Sequence, residues 1–314
     1  MSLTQIPTLN ISEFTTDKAA FVDKIGEAYK QFGFCGISGH GLSDELMQKA
    51  FNVTQAFFAL PTQVKQQYFI KAQGGARGYT AKGVEKAKDS DHVDLKEFWH
   101  VGRELTGAAP HACLYPNVWP SEVVDFQQIT LEFYATLESI GNQILRALAL
   151  VIDQDEDYFV DKTDHGNSVL RLIHYPPIED NSTQSIRAGQ HEDINLITLL
   201  VGSHEAGLEV KTREGKWLPI TMVKGAIVVN IGDMLQRLTN NVLPSTTHRV
   251  VNPQGQAVDS PRYSMPFFLH PNPEFLIDTL DTCISEAQPN DYPQPISSND
   301  YLNQRLAEIG LISS

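Results

Sequence analysis

Residues 18–31 (KAAFVDKIGEAYKQ) place Phe21, Ile25 and Tyr29 four positions apart, a stripe that predicts an amphipathic helix. The following QFGFCGISGHGL sets Phe32, Phe34 and Ile37 among glycines and predicts a short strand that ends in a tight turn. Ser43 is placed to cap a helix over DELMQKAFNVTQAFFAL, which Pro61 terminates. GGARGYTAKG reads as loop, and the apolar positions Leu131, Leu145, Leu148 and Ile152 predict helix over residues 120–152. The pattern changes near Ser168. From there VLRLIHY, NLITLLV, LEVKT, WLPI, AIVVNIG, HRVV and RYSMPFFL follow one another as short apolar runs, with REGK as a hairpin turn. Closely spaced strands without intervening helices predict an antiparallel double-sheet core, with a helical N-terminal half packed against it. Residues 299–312 predict a closing helix.

Composition narrows the partners more than the fold. The 314 residues are 41% hydrophobic and 20% charged, an ordinary globular mix with room for a sizeable core. Asp and Glu outnumber Lys and Arg by 38 to 24, a net charge of −14, which disfavours nucleic acid and anionic lipid surfaces. Three scattered cysteines (Cys35, Cys113, Cys283) without CxxC spacing fit a reducing compartment. The first residues show no basic stretch followed by an apolar run, and no segment reaches the ~18 apolar residues of a membrane helix. A cytoplasmic protein with a small-molecule partner is expected, and its oligomeric state is not legible.

The candidate chemistry centres on QHEDINLITLL and STTHRVV. In an extended chain, side chains at i and i+2 share a face, so His191 and Asp193 can reach one ion while Glu192 points away. His248, 55 residues beyond Asp193, is the candidate third ligand. Two imidazoles and a carboxylate on one face leave about three positions open on an octahedral ion, the facial triad of non-haem Fe(II) oxygenases. The same donors also suit Zn²⁺, so a zinc hydrolase or a non-redox cupin-like binding module is a rival reading. Arg262 and Ser264 follow His248 by 14 and 16 residues and again share one strand face. A guanidinium fork beside a hydroxyl suits a carboxylate at the bottom of a pocket, which a zinc site would not need.

HxD, a distal HRV and then RxS, in that order, resemble the isopenicillin N synthase-like branch of the Fe(II)/2-oxoglutarate dioxygenases. The resemblance is collinear over most of the chain: FGFCGISGHGL, FFALPTQVK, RGYT, DLKEFWHVG, VLRLIHYPP and GDMLQRLTNNVLPSTTHRVV each fall at the matching family segment. It implies an α+β fold, a double-stranded β-helix (jelly roll) with a helical N-terminal region and helices packed on one sheet. The implied division is an N-terminal dioxygenase region over residues 1–120, connecting helices over 121–165, the jelly-roll core over 166–272 and a closing segment over 273–314. His191, Asp193 and His248 would bind Fe(II); Arg262 and Ser264 would hold the distal carboxylate of 2-oxoglutarate, with Tyr175 adding a hydrogen bond. O₂ would be the oxidant and ascorbate a candidate reductant. 2-Oxoglutarate would be decarboxylated to succinate and CO₂ as a substrate C–H bond is oxidised, by hydroxylation, desaturation or ring closure.

This sequence departs from the family pattern in three places. Ile173 stands where the family has an asparagine, and His174 stands for its first tyrosine, expected by alternation to face away from Tyr175. NPQGQAVDS, between His248 and Arg262, is longer than usual and is expected to form a longer hairpin. Arg77 and Tyr79, in a Gly-rich loop, are candidate substrate contacts, Arg77 for an anionic group, whereas Phe267 and Phe268 are expected in the core. An oxidase of the same fold that uses no 2-oxoglutarate keeps an RxS-like pair and is the nearest rival.

Overall fold

The computed structural model describes residues 5–84, 94–107, 111–177, 187–202, 207–221, 223–252 and 260–308. The first third of the chain gives β1 (Thr8–Asn10), α1 (Glu13–Thr16), α2 (Lys18–Phe32), β2 (Phe34–Ser38), α3 (Asp44–Phe58), α4 (Thr62–Gln66), β3 (Gly78–Thr80) and β4 (Glu97–Gly102). Next come α5 (Phe126–Val151), α6 (Val160–Thr163), β5 (Val169–Tyr175), β6 (Ala188–His191), β7 (Ile197–Gly202), β8 (Leu208–Lys211), β9 (Trp217–Pro219) and β10 (Ile227–Ile231). The chain continues through α7 (Asp233–Leu238), β11 (His248–Val250), β12 (Arg262–Leu269), β13 (Leu276–Ile277), β14 (Ile296–Ser297) and α8 (Ser298–Glu308).

Local chemistry explains most boundaries. The Ser43 side chain accepts the Leu46 N–H at 3.1 Å and caps α3 as predicted. α2 stops at Gly33, whose φ of 65° lets the chain reverse into β2; a Cβ there would lie 2.3 Å from Thr246 Oγ1 and 2.6 Å from Pro244 O. The long helix starts at Phe126, later than predicted. GGARGYT is not wholly loop, because Gly78–Thr80 pairs with β4 as an edge strand. The closing helix is described only to Glu308, and the longer hairpin expected for NPQGQAVDS falls on residues 253–259, outside the described residues.

Strands pair in two main sheets, with β13 and β14 forming a separate two-stranded ribbon. The larger runs β1-β2-β10-β7-β12-β5-β4-β3 and the smaller β6-β11-β8-β9, so the N-terminal strands complete both edges of the larger sheet. In the larger sheet β1–β2 is parallel, and the neighbours across β10, β7, β12, β5 and β4 are antiparallel. This is the jelly-roll α+β fold.

Register divides the larger sheet into two faces. Opposed residues of paired strands share a face, and Phe267 opposite Leu170 and Leu199 begins one of them. Cys35, Trp99, Val101, Leu172, Val201, Val229 and Met265 join that face in the main core, together with Phe133, Leu137, Ile144 and Leu148 of α5. Gly141 lets α5 approach closely: a Cβ there would come within 2.5 Å of Leu269 Cδ1. The opposite face carries Phe34 and Val228, which meet Ala188, Leu208, Val210 and Val250 of the smaller sheet. Phe98, Ile173 and Tyr175 form a separate cluster. With both faces covered, β7 and β10 read as largely apolar runs rather than as alternating ones, each broken by one polar residue, Thr198 and Asn230.

Phe267 is core, as expected, with its ring edge-on to Tyr134 at 4.9 Å. Phe268 is not: it is half-buried on the opposite face, 5.4 Å from the Arg171 guanidinium. Phe267→Ala is expected to lower unfolding free energy by about 3–5 kcal/mol in denaturant titrations, the cost of an emptied aromatic site.

His270, just beyond β12, is buried and its imidazole is pulled down to about 4 by that burial. The folded chain therefore binds fewer protons than the unfolded one between 6.5 and about 4, and this contribution to stability falls as pH drops through that window. Urea unfolding from neutral pH down to about pH 5 should show the slope, and His270→Gln should flatten it.

Candidate metal centre

β6 ends at His191, and Asp193 follows two residues later, outside the strand. β11 begins at His248, directly opposite His191 in the antiparallel pair. One donor atom from each of His191, Asp193 and His248 lies within 4.8 Å of the other two. His191 Nε2 and His248 Nε2 each stand 3.8 Å from Asp193 Oδ1. Separations of roughly 3–4 Å suit donors that share one ion.

The hydrogen bonds around these donors leave the ion-facing atoms available. His191 Nδ1 lies 2.7 Å from Gly189 O and His248 Nδ1 3.1 Å from Thr246 O; a carbonyl only accepts, so each ring carries its proton on Nδ1 and turns Nε2 to the centre. Thr198 Oγ1 and Asn230 Nδ2 both donate to Asp193 Oδ2 at 2.7 Å, which leaves Oδ1 toward the imidazoles. Burial would raise the Asp193 carboxyl, but the His248 and His191 rings and these two donors outweigh it and hold it low. Desolvation first and the His248 ring second pull the His191 imidazole down, which favours a neutral His191 beside the Asp193 carboxylate. Three converged lone-pair donors with their outer atoms satisfied fit a divalent cation.

Thr198 and Asn230 were not foreseen, although each is a polar residue interrupting an apolar strand, NLITLLV and AIVVNIG. That interruption is the signal that would have found them. They belong to the larger sheet and the two histidines to the smaller, so the ion position lies between the sheets.

β12 and β5 carry the second half of the site. Arg262 pairs with Tyr175 and Ser264 with Ile173, which puts all four side chains on one face. Arg262 is 3% exposed and its Cζ stands 5.2 Å over the Tyr175 ring. Its Nε and Nη1 are buried with no hydrogen-bond acceptor among the described residues. A buried guanidinium fork without an acceptor fits a carboxylate. Ile173, in place of an asparagine, joins Phe98 and Tyr175 in an apolar patch. Arg187, which no sequence motif singled out, comes within 5.9 Å of the Tyr175 ring.

His174 does face away from Tyr175: it stacks on Tyr263 at 4.8 Å and meets Glu97 Oε1 at 2.7 Å. Glu97 also accepts from Lys65 Nζ at 2.8 and 2.9 Å. Burial would raise the Glu97 carboxyl, and bonds from His174, Lys65 and Tyr79 reverse that and lower it.

Arg77 and Tyr79 are corrected by the structure. Tyr79 is 2% exposed and its hydroxyl donates to Glu97 Oε2 at 2.5 Å within this buried network. Arg77 is 1% exposed and donates to Tyr115 O, Ala76 O and Asn167 Oδ1. Its guanidinium lies against Gly102, the last residue of β4 and the opposite end of that strand from Glu97. Neither residue joins the metal-facing set.

The family model for the 2OG-Fe(II) oxygenase superfamily matches residues 166–271, and that for the non-haem dioxygenase in morphine synthesis N-terminal region matches residues 6–122. The 2-oxoglutarate-Fe(II) type oxidoreductase hxnY of Emericella nidulans is 32% identical over 96% of this chain and 89% of its own length. The chain belongs to the 2-oxoglutarate/Fe(II) oxygenase superfamily. Among solved structures, a 2OG-Fe(II) oxygenase family protein of Caulobacter crescentus superposes with a TM-score of 0.89 and 46% identity over 96% of this chain and 98% of that one. A Neurospora crassa protein, solved in complex with alpha-KG and thymine, gives 0.86 and 30% identity over 98% of each chain. This superfamily member is an Fe(II)- and 2-oxoglutarate-dependent dioxygenase. No helix among its described residues is long and apolar enough to cross a membrane.

For the oxygenase, His248→Ala is expected to abolish stoichiometric Mn²⁺ binding in calorimetric titration of the metal-free protein while the folded circular-dichroism spectrum persists. Unchanged Mn²⁺ affinity would remove His248 from the centre.

Proposed function

We propose that this chain oxidises a C–H bond of a small organic substrate, with Fe(II) held by His191, Asp193 and His248 and 2-oxoglutarate anchored through Arg262, Ser264 and Tyr175. The observation that carries the reading is the pairing of the converged triad with a buried guanidinium that lacks an acceptor. Bound iron with its co-substrate supplies the oxidising power, spending 2-oxoglutarate and O₂ to give succinate and CO₂.

The chain's own residues set where this happens. Arg262 offers the distal carboxylate a two-pronged charge-assisted contact, and Tyr175 beneath it limits the guanidinium's movement. The His248 and His191 rings, with hydrogen bonds from Asn230 and Thr198, hold Asp193 as a carboxylate against its burial, which leaves Oδ1 as a ligand atom for the ion. Phe98, Ile173 and Phe268, with Arg171 stacked 4.2 Å from Phe98, share the sheet face that carries Arg262. That face is dry on one side and cationic on the other, which suits a small molecule with an apolar body and an acceptor group. The Neurospora protein's complex with thymine and alpha-KG supports a small-molecule substrate.

The N-terminal family match, together with the collinear RxS pair, supports placement in the isopenicillin N synthase-like branch. Three cysteines without a disulfide support a cytoplasmic location.

The test is release of labelled succinate and CO₂ from 2-oxoglutarate with Fe(II), O₂ and ascorbate, screened over candidate metabolites. Strict indifference of substrate oxidation to 2-oxoglutarate would support the oxidase alternative and sink this reading. Arg262→Met is expected to weaken 2-oxoglutarate binding by about 2–5 kcal/mol while Mn²⁺ affinity is retained, because the loss falls on the carboxylate anchor alone.

A further inference from the structure

The three candidate ligands are not held alike. Asp193 is fixed by Thr198 and Asn230, and its side chain is 6% exposed. The His248 side chain is 9% exposed and its ring lies edge-on to Phe34 at 5.4 Å. His191 is 39% exposed and sits on β6, the edge strand of the smaller sheet. Packing alone therefore constrains it least.

The pairing of β6 with β11 also slips beside it. His191 opposes His248 but Ala188 opposes Val250, so Gly189 and Gln190 together face Arg249. Such a bulge bends a strand and re-aims its side chains. Gly189 is the residue whose carbonyl receives the His191 Nδ1 proton at 2.7 Å. The Gly189 N–H in turn donates to Asp94 Oδ1 at 3.0 Å. Asp94 Oδ2 accepts from Lys96 Nζ at 2.8 Å, and Asp94 and Lys96 are 7% and 9% exposed. A continuous chain thus runs from Lys96 through Asp94 and the Gly189 peptide units to the imidazole. Asp94 precedes β4, a strand of the larger sheet, so the chain spans both sheets.

We propose that Asp94 is a positioning residue for the metal centre: it clamps the β6 bulge and so sets the direction of the His191 imidazole, with Lys96 orienting its carboxylate. The proposal rests on the assignment of His191 as a ligand. A carboxylate is suited to the task because one oxygen can take the bulge N–H while the other takes an ammonium, whereas a neutral acceptor serves only one of them well.

The experiment titrates the full-length, metal-free protein with Mn²⁺ and records the visible spectrum of its Co²⁺ form. Asp94→Ala is expected to weaken Mn²⁺ about 10- to 100-fold, the usual cost of removing a group that orients a ligand, and to shift the Co²⁺ bands. Asp94→Asn keeps an acceptor for Gly189 but presents an amide to Lys96, so it should fall between wild type and Asp94→Ala. A merely structural strut would lower melting temperature and leave Mn²⁺ affinity and the Co²⁺ spectrum of the folded protein at wild-type values, and that result overturns the proposal. If Asp94→Ala does not fold, Asp94→Asn decides on the same two readings. His191→Ala is the control: wild-type Mn²⁺ affinity there defeats both the ligand assignment and the clamp, whereas its loss beside unaffected Asp94 variants defeats the clamp alone.

Discussion

Asp193 is buried at the seam between the two sheets, and a charge removed from water there must be compensated. Hydrogen bonds from Thr198 and Asn230 satisfy one oxygen and tie the loop after β6 to β7 and β10. The other oxygen faces two imidazoles whose remaining lone pairs also point inward. No arrangement of neutral donors completes such a set, and a cation does. β6 and β11 present their histidines to this carboxylate across the apolar contact of Phe34 and Val228 with Ala188, Leu208, Val210 and Val250.

The second constraint is its electrostatic mirror. Arg262 is a buried cation with two nitrogen atoms lacking acceptors among the described residues, on the same face of β12 as Ser264. The carboxylate lies just after β6 and the guanidinium on β12, so the candidate site has a metal end and an anion end. This is the division that the proposed anchoring of 2-oxoglutarate at Arg262 would use. Behind β4 and β5, Lys65, Glu97, Tyr79 and His174 form a closed buried network in which the charges are mutually satisfied. That network lies on the opposite sheet face from Phe98, Ile173 and Tyr175, which share the face of Arg262.

Residue pairs two apart on strands were the most legible part of the site in the sequence, since alternation alone puts Arg262 and Ser264 on one face and separates His174 from Tyr175. The same local logic failed at Arg77 and Tyr79. A Gly-rich segment suggested an accessible loop, but three of its residues add an edge strand, and both side chains are consumed by buried partners. Phe268 was misplaced for the converse reason: its neighbour Phe267 is core, and alternation sends Phe268 to the opposite face.

Periodicity, capping and the order of motifs, all of them set by residues close in the chain, gave from the sequence alone a double-sheet protein with a metal-ligand triad and a candidate anion anchor. Which groups orient those ligands was decided only in three dimensions. Asp94 lies 95 residues before Gly189, and Asn230 lies 37 beyond Asp193. Hydrogen bonds of that span depend on how the two sheets are laid over one another, and no local pattern encodes it.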